Sequence, residues 1–288
     1  MTLEDLIEEK MYEDDMIYHY CSIDDFLSII SNNRLWLTDS SKINDTSESV
    51  WSVNFMDYAL RKKLDSAYNC HFGEDDTALI RGAKNYLCCF STDGNVLSQW
   101  QAYAKDGTGV AIGFDRKMLG FIKRDSAYPN VYVHENCRSL RLSHAIYDAD
   151  LQWEIFERTI QENMEKGSDK KELFQQLLED SVFNKNKAYE EEKEMRISVT
   201  SIEYPLQLPQ FEKRKEHLSY LKELKFRSSK KGLSAYFTLV FPVESVSKII
   251  VGPRNESAKE DIRHFLEVQG YDHNIDIVLF RDTYRNIR

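Results

Sequence analysis

The run Tyr189-Glu-Glu-Glu-Lys-Glu-Met-Arg-Ile197 concentrates ionisable groups in a segment with strand character. On a strand, Glu192, Glu194 and Arg196 point to one face, because side chains alternate. Two carboxylates and a guanidinium on one face are costly to bury for structure alone. Exposed, they are ordinary surface charge. Facing a cleft, an E-x-E pair is a catalytic arrangement: one carboxylate stabilises an oxocarbenium-like centre and the other orients a nucleophile. Two acids held close together also separate their pKa values, so one can keep a proton.

Three other clusters spend polar or aromatic residues where a plain core does not need them. In Tyr18-His19-Tyr20-Cys21-Ser22, His19 either presents a ring N–H to a ligand hydroxyl or sits as a satisfied core histidine between two tyrosines. In Arg34-Leu-Trp-Leu-Thr-Asp-Ser-Ser-Lys-Ile-Asn-Asp45, Leu35 and Leu37 share one strand face, and Trp36 and Thr38 share the other. Asn44 and Asp45 close an Asx turn, cap the next helix, or meet a ligand. Phe90-Ser91-Thr92 precedes Leu97-Ser-Gln-Trp-Gln-Ala-Tyr103, which places Trp100 and Tyr103 at i, i+3 on one helix face. They form either a stacking wall for a planar ring or a packing contact on a sheet.

Other chemistries are less well supported. Gly107-Thr-Gly-Val-Ala-Ile-Gly113 imitates a dinucleotide fingerprint, but its third glycine is one residue late and Phe114-Asp115 follows. A turn and then a strand explains it more simply. There is no GxxxxGK loop, HExxH or GxSxG motif. Cys70-His71 with Glu74, Asp75 and Asp76 can hold a metal, but acids at a helix N-terminus account for the same residues. No metal is expected. Asp45, Glu192 and Glu194 as oxygen ligands for magnesium are the basis of a third reading, a metal-dependent nuclease. Glu212–Lys231 holds eight Lys/Arg against three Glu. A solvated helix face is the default there, with nucleic-acid contact through 213–231 as the alternative. Phe211, Tyr220 and Phe226 suit a buried stripe.

The elements that must position these groups follow from pattern and punctuation. Thr2–Asp15 reads as a short leading helix and Met16–Tyr20 as a strand. Ser22 then stands where an N-cap would, before a helix over Ile23–Ile30. Arg34–Thr38 and Asn85–Ser91 read as strands, with helices to Leu64, over Glu74–Lys84 and over Leu97–Ala104. Gly109–Phe114 is apolar on both faces, which predicts a central strand. Asn130–Val133 and Arg138–Ile146 are further strands. Asp150–Tyr189 is a helical tract broken near Gly167-Ser-Asp169. Phe211–Lys225 reads as a helix and Leu233–Phe241 as a strand. Val246–Val251, Glu256–Gln269 and Ile275–Phe280 form a strand–helix–strand unit. The expected class is α+β: a mixed β-sheet core with a helical insertion at about 150–190 and that C-terminal unit. No Pro/Ser/Gly-rich linker is visible, so one domain over 1–288 is expected.

Composition narrows the function classes. The chain has 288 residues, 42% hydrophobic and 30% charged, which suffices for a core and excludes wholesale disorder. With 38 basic and 48 acidic residues the net charge is −10, which opposes generic nucleic-acid binding. Five cysteines without a CxxC pair argue for free thiols, not a disulfide framework or zinc ribbon. No apolar run reaches membrane-span length, and the acidic start lacks signal-peptide features. The expectation is a soluble cytoplasmic protein with no membrane partner.

Taken in order, the motifs Tyr18-His-Tyr-Cys-Ser-Ile, Leu35-Trp-Leu, Ile43-Asn-Asp45, Cys89-Phe-Ser, Trp100, Tyr103, Gly109-Val-Ala-Ile-Gly-Phe, Lys187, Tyr189, Glu192-Lys-Glu-Met-Arg196 and Ile249-Ile-Val-Gly-Pro-Arg254 resemble the bacterial domain of unknown function 2971 family. The resemblance runs from about residue 16 to 282. It implies a defence or toxin-like role, since members often lie near mobile elements and anti-phage genes. A more remote resemblance, carried by His19, Phe90-Ser91-Thr92 and the E-x-E strand, is to the split-sheet fold of ADP-ribosyltransferases. That resemblance implies NAD as substrate and an unknown macromolecular or nucleotide acceptor. His19 would bind the nicotinamide-side ribose, and Tyr20, Ser22, Asn44 and Asp45 would be further NAD-binding residues. Ser91 would support the site, Trp100 or Tyr103 would stack on nicotinamide, Glu194 would be the catalytic acid, and Glu192 would position the acceptor. A non-catalytic sensor or interaction module of a defence system is the alternative.

Overall fold

A computed structural model describes residues 15–42, 84–124, 128, 131–201, 220–229 and 231–280. The expected helices over 2–14, to Leu64 and over 74–83 lie outside these residues, as do Asn44, Asp45, Cys70, His71, Phe211 and part of the basic segment (213–219 and 230); Lys84, expected to end a helix, begins a strand.

The described chain is α+β. Strand β1 (Met16–Cys21) leads into helix α1 (Ile23–Asn32) and strand β2 (Arg34–Asp39). After the gap come β3 (Lys84–Ser91), the short helix α2 (Leu97–Ala102) and β4 (Val110–Asp115). Strands β5 (Phe121–Arg124), β6 (Val131–His134) and β7 (Cys137–His144) form a meander, of which β5 was not foreseen. The helical insertion is α3 (Ala149–Lys166) and α4 (Lys170–Ser181), followed by a 3-10 turn (Lys187–Glu192). Then come β8 (Glu194–Ser201), β9 (Leu221–Ser229), β10 (Gly232–Val240), β11 (Val246–Val251), α5 (Lys259–Val268) and β12 (Asp276–Leu279).

Local signals set most of these boundaries. Ser22 caps α1: its Oγ accepts the Asp25 N–H at 3.1 Å. The break in the helical tract is Gly167, in the left-handed region at φ 65°, followed by an Asp169/Glu172 capping box on α4. The 107–113 run is a turn, with Gly107 at φ 80°, and then strand β4, buried on both faces. Here close approach explains one glycine: a Cβ on Gly109 would lie 2.1 Å from the Cys21 carbonyl oxygen. β11 and β12 pair in parallel around α5, as a strand–helix–strand unit requires.

One expectation is overturned. Residues 221–225, expected to end a helix, belong to strand β9. Pairing with β10 from Gly232↔Ser229 to Leu239↔Leu221 satisfies its backbone, and this tertiary pairing overrides its helix-favouring Lys and Leu content. Phe226 is 60% exposed, so it does not belong to a buried stripe, whereas Tyr220 packs against the core.

The sheet runs β12-β11-β4-β1-β3-β8-β7-β6-β5, with a wing β2-β10-β9 attached through β3. The attachment is a fork. One edge of β3 pairs with β8 along its full length, Lys84↔Ser201 to Ser91↔Glu194. The other edge pairs with β1 only at Tyr18↔Ser91, and with β2 only at Leu87↔Thr38 and Tyr86↔Asp39. Between those contacts β1 and β2 diverge, leaving Cys88, Cys89 and Phe90 unpaired on that edge. The apolar face under the fork, with Leu35, Leu37, Phe90, Ile112, Met195 and Phe237, forms the main core.

Candidate functional site

A cavity of about 490 Å³ opens in the fork. That is within the usual range for small-molecule sites. His19, Tyr20, Tyr103, Glu192 and Glu194 line it. Three stretches distant in sequence thus converge: β1, the end of α2, and the 3-10 turn that runs into β8.

His19 reaches across the fork. Its Nδ1 lies 2.9 Å from the Cys89 carbonyl oxygen. That oxygen only accepts, so Nδ1 carries the proton and Nε2 is left as an acceptor. Burial lowers the His19 pKa and favours this neutral form. The ring therefore offers a lone pair, not the ring N–H expected from the sequence. Cys88 is no partner for proton transfer, because burial pushes its thiol up to about 12.

The acid cluster departs from the simple strand picture. Glu192 ends the 3-10 turn, Lys193 is in the left-handed region at φ 45°, and β8 begins at Glu194. Glu192 is therefore not on the strand with Glu194 and Arg196. Lys185 joins the two acids instead. Its Nζ donates to Glu192 Oε2 at 2.6 Å and also bonds Glu194 Oε2. Lys185 is held in place by a backbone bond to the Ile146 carbonyl and by Gln152, which donates to the Lys185 carbonyl at 3.0 Å. Nothing near it in the sequence marks it as a site residue; only the β-bridge between Ile146 and Asn184 brings it to the acids.

Glu194 is 4% exposed and Arg196 3%. Arg196 does not line the cavity; it grips Glu194 and donates Nη1 to the Val182 carbonyl at 2.7 Å. Burial alone would raise the Glu194 pKa, but Arg196 and Lys185 overcome it and lower it to about 2. Tyr103 faces this charge. Burial raises its hydroxyl pKa, and Cys89, Glu192 and Glu194 raise it further, so it stays a donor.

The remaining predicted residues have structural placements. Trp100 is 1% exposed and packs edge-on to Tyr20 at 4.8 Å, so it offers no stacking wall to a ligand. Tyr20 lines the cavity, but its hydroxyl is committed to the Asp93 carbonyl and the Val96 N–H. Ser22 is a helix cap and does not reach the cavity. Ser91 is buried and donates to the Glu192 carbonyl at 2.7 Å, which fixes the turn carrying Glu192. Asn44 and Asp45 lie outside the described residues.

Sequence reasoning undervalued the opposite wall. Arg34, Trp36 and Lys42 come from β2 and the turn after it; Lys225 and Arg227 come from β9; Tyr236 comes from β10. Strand alternation on β2 turns Leu35 and Leu37 to the core and Trp36 and Thr38 to the cavity, as the sequence pattern indicates.

Among the described residues, no group of three or more His, Cys, Asp and Glu side chains is placed to hold a metal. Between Glu192 and Glu194, where a cation would have to sit, the Lys185 ammonium is already in place. No helix among the described residues is long and apolar enough to cross a membrane.

Fold and site together define an α+β protein with a small-molecule cavity at the fork of a mixed sheet. Residues 99–197 match the family described as Protein of unknown function (DUF2971). The matched segment contains Tyr103, Lys185, Glu192, Glu194 and Arg196. No curated protein and no solved structure matches the chain.

Proposed function

We propose that the fork cavity binds NAD and that the protein is an ADP-ribosyltransferase-like enzyme, with NAD hydrolysis as a variant. The observation that carries this reading is the convergence of His19, Tyr103, Glu192 and Glu194 on one cavity. In the reaction the bond between the nicotinamide ring nitrogen and ribose C1′ breaks, and its electron pair leaves with nicotinamide. Positive charge develops at C1′. Glu194, ionised and rigidly held, supplies a fixed carboxylate facing that centre. His19 Nε2 accepts a hydrogen bond from a ribose hydroxyl, and Tyr103 stacks on nicotinamide. An acceptor hydroxyl, amine or water then bonds to C1′ and gives its proton to Glu192. The acceptor is a macromolecule or a nucleotide, and the setting we propose is a toxin or anti-phage effector.

One observation favours a second reading. Arg196 and Lys185 occupy both Glu194 oxygens and offset its charge. That suits a rigid binding site, as in a sensor module that holds a nucleotide without cleaving it. Proton NMR of NAD incubated with purified protein separates the two. Nicotinamide release that Glu192→Gln and Glu194→Gln lose, with folding intact by circular dichroism, supports the enzyme. Binding without release supports the sensor. No binding at millimolar NAD overturns the NAD assignment.

A further inference from the structure

We infer that the wing β2-β10-β9 forms the phosphate-and-base end of the cavity. The ligand is therefore a nucleotide carrying at least a diphosphate, with its base against Trp36. The inference deepens the proposed function and rests on the fork cavity being a nucleotide site.

The first argument is charge. Arg34, Lys42, Lys225 and Arg227 all line this cavity, in a chain of net charge −10. Among the described residues, none of the four is in an ion pair with a carboxylate. Lys42 reaches only the Lys231 carbonyl at 3.5 Å, and Arg227 donates Nη2 to the Thr38 hydroxyl at 3.1 Å. Arg34 and Lys225 are exposed and Lys42 and Arg227 half-buried, whereas the buried cations Arg116, Arg141 and Lys185 are paired, with Asp15, with Asp180, and with Glu192 and Glu194. Four like charges on one concave wall repel, and an anion with several charges relieves that repulsion. Arginine also matches phosphate oxygens with paired N–H donors.

The second argument is the aromatic surface beside those charges. Trp36 is 40% exposed and lies 4.8 Å from the Tyr236 ring. The Arg227 guanidinium sits 4.7 Å from the Trp36 ring centroid and 6.0 Å from that of Tyr236. Its Nε is shielded from solvent and has no hydrogen-bond partner among the described residues. An exposed indole next to an arginine is a platform for a nucleobase with its phosphates alongside. A cavity of this volume suits a nucleotide better than a polymer strand.

The third argument is polarity. The cavity's acids, Asp25, Glu192 and Glu194, come from α1, the 3-10 turn and β8, while its cations lie on β2, the turn after it and β9. A diphosphate is favoured at the wing and disfavoured beside the acids. This fixes the ligand's direction: base and phosphates at the wing, the sugar remote from them at Glu192.

Calorimetric titration of the full chain with ADP, AMP and adenosine at low salt tests this. ADP should bind, AMP at least tenfold more weakly, and adenosine more weakly still. ADP affinity should fall with added salt. Arg227→Gln and Lys225→Gln should each weaken ADP about tenfold, and Trp36→Leu should weaken it more than Trp36→Phe. Adenosine binding as tightly as ADP, wild-type ADP affinity in folded Lys225→Gln, or a single-stranded oligonucleotide binding where ADP does not would overturn the inference. ADP has no nicotinamide and no scissile bond to it. ADP binding without NAD cleavage therefore removes only the enzymatic reading, whereas NAD cleavage with no ADP binding removes only this one.

Discussion

Arg196 holds Glu194 with two bonds from the same strand: Nε donates to Oε1 at 2.9 Å and Nη2 to Oε2 at 3.0 Å. The pair is i, i+2 on β8, so the pleat puts both side chains on one face. Across β3, the register Ser91↔Glu194 and Cys89↔Arg196 sets that face against the fork. The sheet thus fixes a buried anion beside the cavity, and the segment between α4 and the 3-10 turn supplies Lys185 as its second cation.

Breaking this network should be expensive. Arg196→Met leaves Glu194 buried with one cation fewer and the Val182 carbonyl without its donor. A loss of about 3–5 kcal/mol is expected, the usual cost of removing one partner from a buried ion pair. Urea unfolding checks this; a loss below about 1 kcal/mol would mean that water replaces the guanidinium.

Acid should weaken the fold through Glu194. Its folded pKa is depressed from 4.5 to about 2. Its stabilisation is therefore complete above pH 4.5 and is lost as pH falls from there towards 2. The shift corresponds to about 3 kcal/mol. Unfolding curves between pH 6 and 3 should be less steep in Glu194→Gln than in wild type; identical slopes would contradict the assignment.

Ser22 separates a capping role from a ligand role. Ser22→Ala should cost about 1 kcal/mol in stability and leave ADP and NAD affinity unchanged. Weaker ligand binding at unchanged stability would return Ser22 to the site.

The described thiols should resist modification. Burial raises the pKa of Cys21, Cys88, Cys89 and Cys137, with Cys88 at about 12. Few thiolates then exist at pH 8. A short iodoacetamide pulse read by mass spectrometry should label these four only after unfolding. Rapid native labelling of Cys89 would show a thiolate at the cavity.

Much of this was legible in the sequence because local chemistry decides it. Ser22 as a cap, Gly167 as a helix stop and apolar β4 as a central strand are set by neighbouring residues. The glycine run 107–113 was also readable as a turn and then a strand, but its close approach to Cys21 was not: Gly109→Ala should destabilise by at least about 2 kcal/mol through a clash with the Cys21 carbonyl. The acids of the site were visible by type, but their geometry was not. Glu192 left the strand because Lys193 takes a left-handed turn, and Lys185 joined the acids through a bridge to Ile146. The cationic wall was the hardest to see. Arg34 and Lys225 lie far apart in sequence, and only the pairing of β2 with β10 and of β10 with β9 brings them together. The same pairing turned the expected helix end at 221–225 into strand.

The central claim is that NAD occupies the fork. Hydrogen–deuterium exchange of the wild-type chain with and without saturating NAD tests it most directly. The account predicts slowed exchange in peptides covering 17–21, 34–42, 84–91, 185–194 and 221–229, at the fork and both of its walls. Unchanged exchange there, or protection confined to other segments, would contradict it.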